Sequence, residues 1–336
     1  MPSIAPGNKG SFKVNLPQDW QNTDALYLTA TDPHGMEIFT WSYPVKLPKS
    51  YNQDKLHSAE KEKLKVDKND EQIKVSTKEL EFTFSAKTGL IEKVVKKGVI
   101  IPLSKGPIIL DSKNDVQSVT VSTTKENVIV TALFKKKKKY WDWKENTEMY
   151  QDLIKWTIHS NGLVDLHTSI KGGRKTKGFK GITFSFPETE VAGMKWLGDG
   201  PYRVWRNRMK GTQLKVWEND YNNTITGESG YVYPEFKGYF SSIYWAKVRG
   251  NNNNGFKVYC HSDHTFLRML TPDQPAEPML GATVTKFPSG DISFVKNIPP
   301  IGTKFKKIGE MGPTSNEEMI FGNDDEPIVI ELTFEF

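Results

Sequence analysis

Apolar and polar residues alternate along most of this chain with a period of two, the spacing at which successive side chains of a strand face opposite ways. Ile73-Lys74-Val75-Ser76 and Leu80-Glu81-Phe82-Thr83-Phe84 are two such runs. Lys87-Thr88-Gly89 then turns the chain into Leu90-Ile91-Glu92-Lys93-Val94-Val95, and the pattern returns at Val119–Val121 and Val128–Phe134. The sharpest hairpin signal is Leu153–His159, then Ser160-Asn161-Gly162, then Leu163–Ile170. Asn-Gly there supplies the positive φ angles that a tight turn needs. Further strands are predicted at Ile182–Phe186, Phe256–Cys260, Thr265–Leu270, Ile292–Val295 and Ile328–Phe336. Helical periodicity is confined to Asp54–Leu64, which is polar enough to serve as a linker.

This pattern divides the chain. Residues 1–48 hold three candidate strands, Ser11–Asn15, Ala25–Thr31 and Met36–Lys46. An immunoglobulin-type sandwich needs about seven strands. The segment therefore reads as part of such a sandwich whose other strands lie upstream, or as a piece that packs on the main body. Residues 49–65 read as a charged linker, and residues 66–336 as one large antiparallel body of two stacked sheets. The strand–helix alternation of a catalytic (β/α)8 barrel is missing.

Composition narrows the function. Apolar residues make up 37% and charged residues 26%, so a packed core is expected and disorder is not. The aromatic share is 12%, with nine Trp, side chains that fill large β cores and also stack on sugar rings. The net charge is +6, and the run Lys135–Lys139 supplies much of it. That run reads as a solvated hairpin tip, since no nucleic-acid-binding module accompanies it. The single cysteine, Cys260, excludes an intrachain disulfide. No stretch reaches the ~20 apolar residues of a membrane span, and the first residues lack the features of a signal peptide.

Candidate chemistry concentrates in 196–245, where Gly and Pro suggest a loop crowded with aromatic and Arg side chains. Tyr202, Arg203, Trp205, Arg206, Arg208 and Glu235 form a plausible saccharide-binding set: ring faces for stacking, Arg forks as donors and a Glu acceptor. The same residues have a structural reading. Trp196, Trp217 and Trp245 would then pack between sheets, and Arg206 would pair with Glu235.

Trp196-Leu197-Gly198-Asp199-Gly200-Pro201, followed by an Arg-rich stretch ending at Arg208, resembles the WLGxGPxxxxxxR signature of the C-terminal domain of family 2 glycoside hydrolases of the β-galactosidase type. Phe82–Ile91 is similar to the opening of that domain, and Pro234–Phe240 to its next motif. Gly290–Phe294 with Ile301–Phe305 resembles the C-terminal stretch of a subgroup from polysaccharide-degrading bacteria, and Asp24–Leu28 with Phe39–Pro44 the end of the preceding immunoglobulin-like domain. The resemblance implies an all-β fold: a galactose-mutarotase-like supersandwich over 66–336 preceded by a partial immunoglobulin-like β-sandwich. It also implies a catalytic barrel upstream in the parent chain, carbohydrate as ligand, no cofactor, and no catalytic residue in this chain. If the parent degrades polysaccharide, a periplasmic or secreted bacterial location follows. The chain departs from bacterial β-galactosidases in carrying Arg203-Val204-Trp205 where an Asn-Tyr pair is usual, and Tyr259–His264 without a Trp.

Two further constellations carry chemistry. Cys260, His261, Asp263 and His264 are metal-capable types, but strand alternation splits them between faces, so no metal site is expected. His159 and His167 flank the Asn161-Gly162 turn and could face each other across strands, the kind of side chain that moves protons at an anomeric centre. Three functions therefore stand: an accessory, carbohydrate-binding part of a glycoside hydrolase; a stand-alone mutarotase, epimerase or lyase-like enzyme; or a purely structural or oligomerisation domain.

Overall fold

The computed structural model describes residues 3–53, 55–56, 60–112, 115–135, 151–171, 175–176, 178–220, 238–269, 287–303, 305–315, 319–320 and 326–336. The chain forms two compact units, Met1–Leu47 and Pro48–Phe336. No helix among the described residues is long and apolar enough to cross a membrane.

In the first unit, β1 (Ala25–Thr31) pairs antiparallel with β2 (Glu37–Pro44). The connecting turn is held by Asp32, whose Oδ1 accepts the backbone N–H groups of His34 and Met36, both at 2.8 Å. Ser11–Asn15 is not a strand. Five alternating residues form one only where a sheet edge receives them, and Phe12 and Val14 are instead exposed. The hairpin leaves Tyr27, Ile38, Trp41 and Tyr43 exposed as well.

The second unit opens with α1 (Pro48–Gln53). Then come β3 (Lys65–Lys68), β4 (Gln72–Ser76), β5 (Leu80–Ser85), β6 (Ile91–Lys96), β7 (Val99–Ile101) and β8 (Ser104–Ile109). Next are β9 (Asp115–Thr123), β10 (Asn127–Lys135), β11 (Gln151–His159), β12 (Val164–Ile170), β13 (Lys175–Thr176) and β14 (Lys180–Ser185). The last are β15 (Val191–Val204), β16 (Gln213–Asp220), β17 (Tyr239–Gly250), β18 (Phe256–Cys260), β19 (Phe266–Arg268), β20 (Ile292–Asn297), β21 (Met319–Ile320) and β22 (Ile328–Glu335).

Two extended antiparallel sheets result. The first runs β9-β10-β11-β12-β22-β18-β17-β15-β16. The second runs β3-β4-β5-β6-β8-β14-β20-β19, with β7 also beside β6. Strand β17 belongs to both: Phe240 pairs with Leu267 of β19, and Trp245–Val248 pair with β18. β13 and β21 make a separate pair. The fold is all-β, a large antiparallel supersandwich preceded by the two-stranded β1–β2 hairpin.

The inner faces of the two sheets meet in one aromatic-rich core. The fully buried Trp156 lies 5.7 Å from Phe84 and 5.9 Å from Phe334, ring centre to ring centre, and Phe184 lies 5.8 Å from Phe334. Two glycines make the turns feeding this core possible. Gly89 has φ +70°, and a Cβ there would come 2.6 Å from Ala132 Cβ. Gly162, at φ +83°, closes the β11–β12 hairpin at the expected turn.

The structure departs from the sequence expectation in two places. The glycine- and proline-bearing stretch from Trp196 is not a loop but the second half of β15, a long strand buried along most of its length. Its glycines make room for neighbours: a Cβ on Gly198 would meet Ser241 O at 3.0 Å, and one on Gly200 the Trp217 ring at 2.7 Å. The second departure concerns residues 49–65. The helix falls at Pro48–Gln53, the described residues 55–56 and 60–64 are not helical, and the helix belongs to the large unit. β17 pairs with β18 only from Trp245 onward, and just before that point the Asn52 side-chain amide donates to the Tyr244 and Cys260 carbonyls, both at 2.7 Å. Asn52 thereby satisfies two backbone acceptors where the sheets divide.

Candidate functional site

Strand β15 delivers the Trp196–Pro201 signature and ends at Val204, where the chain turns sharply. Trp205 donates its N–H to Arg208 O at 3.4 Å, and Arg208 returns its own to Trp205 O at 2.7 Å. Trp205 sits in a second apolar cluster with Leu110, Val204, Tyr239, Val295, Ile298 and Ile301. It is 1% exposed, edge-on to Tyr239 at 5.4 Å and tilted against Phe287 at 5.3 Å. Its ring is a packing element, not a platform open to solvent.

The rest of the turn clamps segment 299–303. Asn207 Nδ2 donates to Ile301 O (2.8 Å) and Ser315 Oγ (3.0 Å), while its Oδ1 accepts the Ile301 N–H (3.0 Å). Arg206 N–H reaches Pro299 O, and the Arg208 guanidinium reaches Gly302 O at 3.4 Å. Arg203 is buried, with its guanidinium carbon 5.6 Å from the Phe240 ring centre. Of the six residues singled out from sequence, Tyr202 is half exposed. Glu235, and with it the Arg206–Glu235 pairing, lies outside the described residues. Trp196 is fully buried in the core, and Trp217 packs against it, as the structural reading expects. Asn207 escaped notice, although an amide flanked by two Arg in a turn is well suited to bridging backbone groups.

Behind the turn lie buried polar groups. Burial raises the Asp199 carboxyl pKa, opposed by hydrogen bonds from Ser242 and Ser241, the latter at 3.0 Å, and by the charge of His264. Burial likewise lowers the Arg268 pKa, and its guanidinium donates to Pro288 O and to Gly290 O (2.6 Å). Asp199 is thus a carboxyl shifted toward its neutral form. Its named neighbours are hydroxyls and an imidazole, none of them the second carboxylate that glycoside hydrolysis requires.

The histidines expected to face each other do not. The hairpin register places Lys155 opposite His167 and Thr157 opposite Asp165. His159 therefore reaches diagonally to Asp165 Oδ2 at 2.6 Å, with its Nδ1 2.8 Å from Asn127 Oδ1. Thr333 donates its hydroxyl to Asp165 Oδ1 at 2.6 Å, and His261 Nε2 lies 2.8 Å from Thr333 Oγ1. Because that hydroxyl proton is committed to Asp165, His261 must be the donor in its contact. His167 pairs separately with Glu331, at 3.1 Å. Burial lowers the His261 pKa. Burial pushes the Asp165 carboxyl up, but its hydrogen bonds with His159 and Thr333 outweigh this and hold it below the ordinary value. Among the described residues no group of three or more His, Cys, Asp or Glu is placed to hold a metal ion. Cys260 is buried, its thiol directed at Ser262 O.

Residues 76–275 match the family described as the beta galactosidase small chain. This chain belongs to the β-galactosidase small chain family. The matched span holds β5 through β19 and every residue of the signature turn. No curated protein is similar enough to count as a match. Among solved structures, the chain is similar to YeaD of Salmonella typhimurium, a candidate mutarotase, at 9% identity and TM-score 0.38, over 85% of this chain and 98% of that one. It is also similar to a GalM/aldose epimerase homologue from C. elegans at 6% identity and TM-score 0.35, over 76% and 95%. Likenesses this loose carry nothing about chemistry.

Proposed function

We propose that this member of the β-galactosidase small chain family is the non-catalytic C-terminal part of a family 2 glycoside hydrolase. It completes the architecture of an upstream catalytic barrel and contributes to saccharide contact rather than bond cleavage. The proposed division keeps a partial immunoglobulin-like segment at 1–48 and the supersandwich at 66–336. The observation that carries the reading is the use made of the signature. Trp205, Asn207 and Arg208 tie segment 299–303 to the second apolar cluster. A catalytic role would instead call for paired, substrate-facing acids. The exposed Tyr27, Ile38, Trp41 and Tyr43 of the β1–β2 hairpin support a docking role, since a hairpin with large apolar side chains in water is a surface suited to cover. Tyr202, with an exposed ring, and Arg206 are the proposed sugar contacts.

The test is to assay this chain on galactosides alone and then together with the barrel-containing part of its parent enzyme. The expected result is no turnover alone and a rise in the barrel's thermal stability and activity on mixing. One observation favours the enzyme reading: the 2.6 Å His159–Asp165 contact resembles an acid/base pair. Anomerisation or cleavage by this chain alone, abolished in His159→Gln, would overturn the accessory reading in its favour.

A further inference from the structure

One cross-strand row on the outer face of the first sheet carries three lysines side by side. Lys195 of β15 is in register with Lys247 of β17, and Lys247 with Lys257 of β18. The row ends in acids: Glu218 of β16 is paired with Lys195, and Glu335 of β22 with Lys257. The outer lysines have partners. Lys195 Nζ is 3.5 Å from Glu218, and Lys257 feels the Glu335 charge. Lys247 has a lysine on either side, and no carboxylate among the described residues lies within ion-pair reach of it. Like charges directly opposite on adjacent strands destabilise a sheet. Lys247 is exposed, so packing does not require it there.

The neighbouring row supplies rings. Trp245 and Tyr259 are paired in register, and Lys257 Nζ lies 5.0 Å from the Trp245 ring centre and 4.3 Å from that of Tyr259. Burial lowers the Lys257 pKa, opposed by the Glu335 charge and reinforced by that of Lys247. Arg249, farther along, is already neutralised by Asp220 at 2.6 Å. These side chains line an open groove of about 1000 Å³, large for a single sugar ring and suited to several.

We propose that this groove binds an anionic saccharide, an oligosaccharide bearing carboxylate or sulfate groups, with Lys247 as the central anion contact and the half-buried Trp245 ring, held from behind by the buried Tyr259, beneath the sugar. The choice of a saccharide rests on the accessory reading above. The anionic character rests independently on the lysine row. The site is separate from the signature turn and uses none of its residues.

The test is calorimetric titration of the whole chain with oligogalacturonate, sulfated galactan oligosaccharide, neutral galactan oligosaccharide of equal length, inorganic sulfate and a DNA duplex, at low and raised salt. Binding of either anionic saccharide, weakened by salt, lost about tenfold or more in Lys247→Gln and kept in Lys247→Arg, is the expected result. Lys247→Gln should melt no lower than the wild type, which separates lost binding from lost folding. Equal affinity for neutral and anionic oligosaccharides, unchanged in Lys247→Gln, would overturn the anionic assignment and leave the accessory reading standing. Binding of no saccharide at all would overturn this inference. If the neutral oligosaccharide also leaves Tyr202→Ala and wild type indistinguishable, the saccharide-contact half of the accessory reading falls with it. Sulfate alone binding as tightly as the sulfated oligosaccharide, or DNA binding more tightly than either, would likewise overturn the saccharide assignment.

Discussion

The signature turn and the lysine row hold the same kinds of side chain and use them oppositely. In the turn, Arg203 lies over Phe240, Arg208 reaches Gly302 O, and Trp205 is enclosed by Tyr239 and Phe287. Cation and ring there are satisfied by the protein itself. In the row, Lys195, Lys247 and Lys257 face one another across three strands, and the middle one has no acid within reach among the described residues. Residue type alone therefore does not mark a binding site. What distinguishes the two regions is whether each donor already has an acceptor, because a satisfied donor has little left to offer a ligand.

The comparison can be broken most forcefully at Trp205. Trp205→Ala should lower stability by about 3–5 kcal/mol in chemical denaturation, the range for losing a large buried aromatic. Tyr202→Ala, two strand positions before the turn and half exposed, should stay within about 0.5 kcal/mol. Similar values for the two would mean that the turn is not the packed element described. Asn52→Ala comes next, at about 2 kcal/mol, since it leaves the Tyr244 and Cys260 carbonyls without their donor. A neutral result there would return residues 48–53 to the status of a linker.

Acid should sharpen the contrast within the outer face. Burial holds His261 neutral, so below its ordinary value of 6.5 the unfolded chain takes up a proton that the folded chain resists, and stability falls with pH. Asp165 acts in the same direction at lower pH. Its depressed carboxyl contributes stability above its ordinary value of 3.8, lost as pH falls through the lower folded value. Melting temperature should therefore fall from pH 7 downwards, and His261→Asn should flatten the upper part of that slope. An unchanged profile in His261→Asn would show that the imidazole is not held neutral. The smallest effect is expected at Lys247, where Lys247→Gln should raise stability by up to about 0.5 kcal/mol by removing two like-charge neighbours. A loss of stability there would make the lysine structural.

Much of the fold could be read in the chain because alternation and turn chemistry are local. The Asn161-Gly162 hairpin and the strands around Phe82, Val130, Val258 and Leu332 lie where period-two patterning places them. The reading failed where burial is two-sided. Strand β15 is covered along most of its length, so its apolar positions do not alternate, and Gly198 and Gly200 resemble loop punctuation when they are in fact clearance for Ser241 and Trp217. Trp205, in the turn after β15, became core rather than a candidate sugar platform because the second apolar cluster encloses it.

By itself, the sequence determined an all-β antiparallel body, its main hairpins, and a signature that places it in the β-galactosidase small chain family. These depend on neighbours a few residues apart, or on a motif contiguous in the chain. Only the tertiary structure decided which donors were satisfied. The Asn207 clamp on Ile301 spans 94 residues, the Asn52 bridge to Cys260 spans 208, and the Lys195–Lys247–Lys257 row depends on the register of three strands. Register and long-range hydrogen bonding arise from packing two sheets face to face, and no local pattern encodes which side chains that packing brings into line.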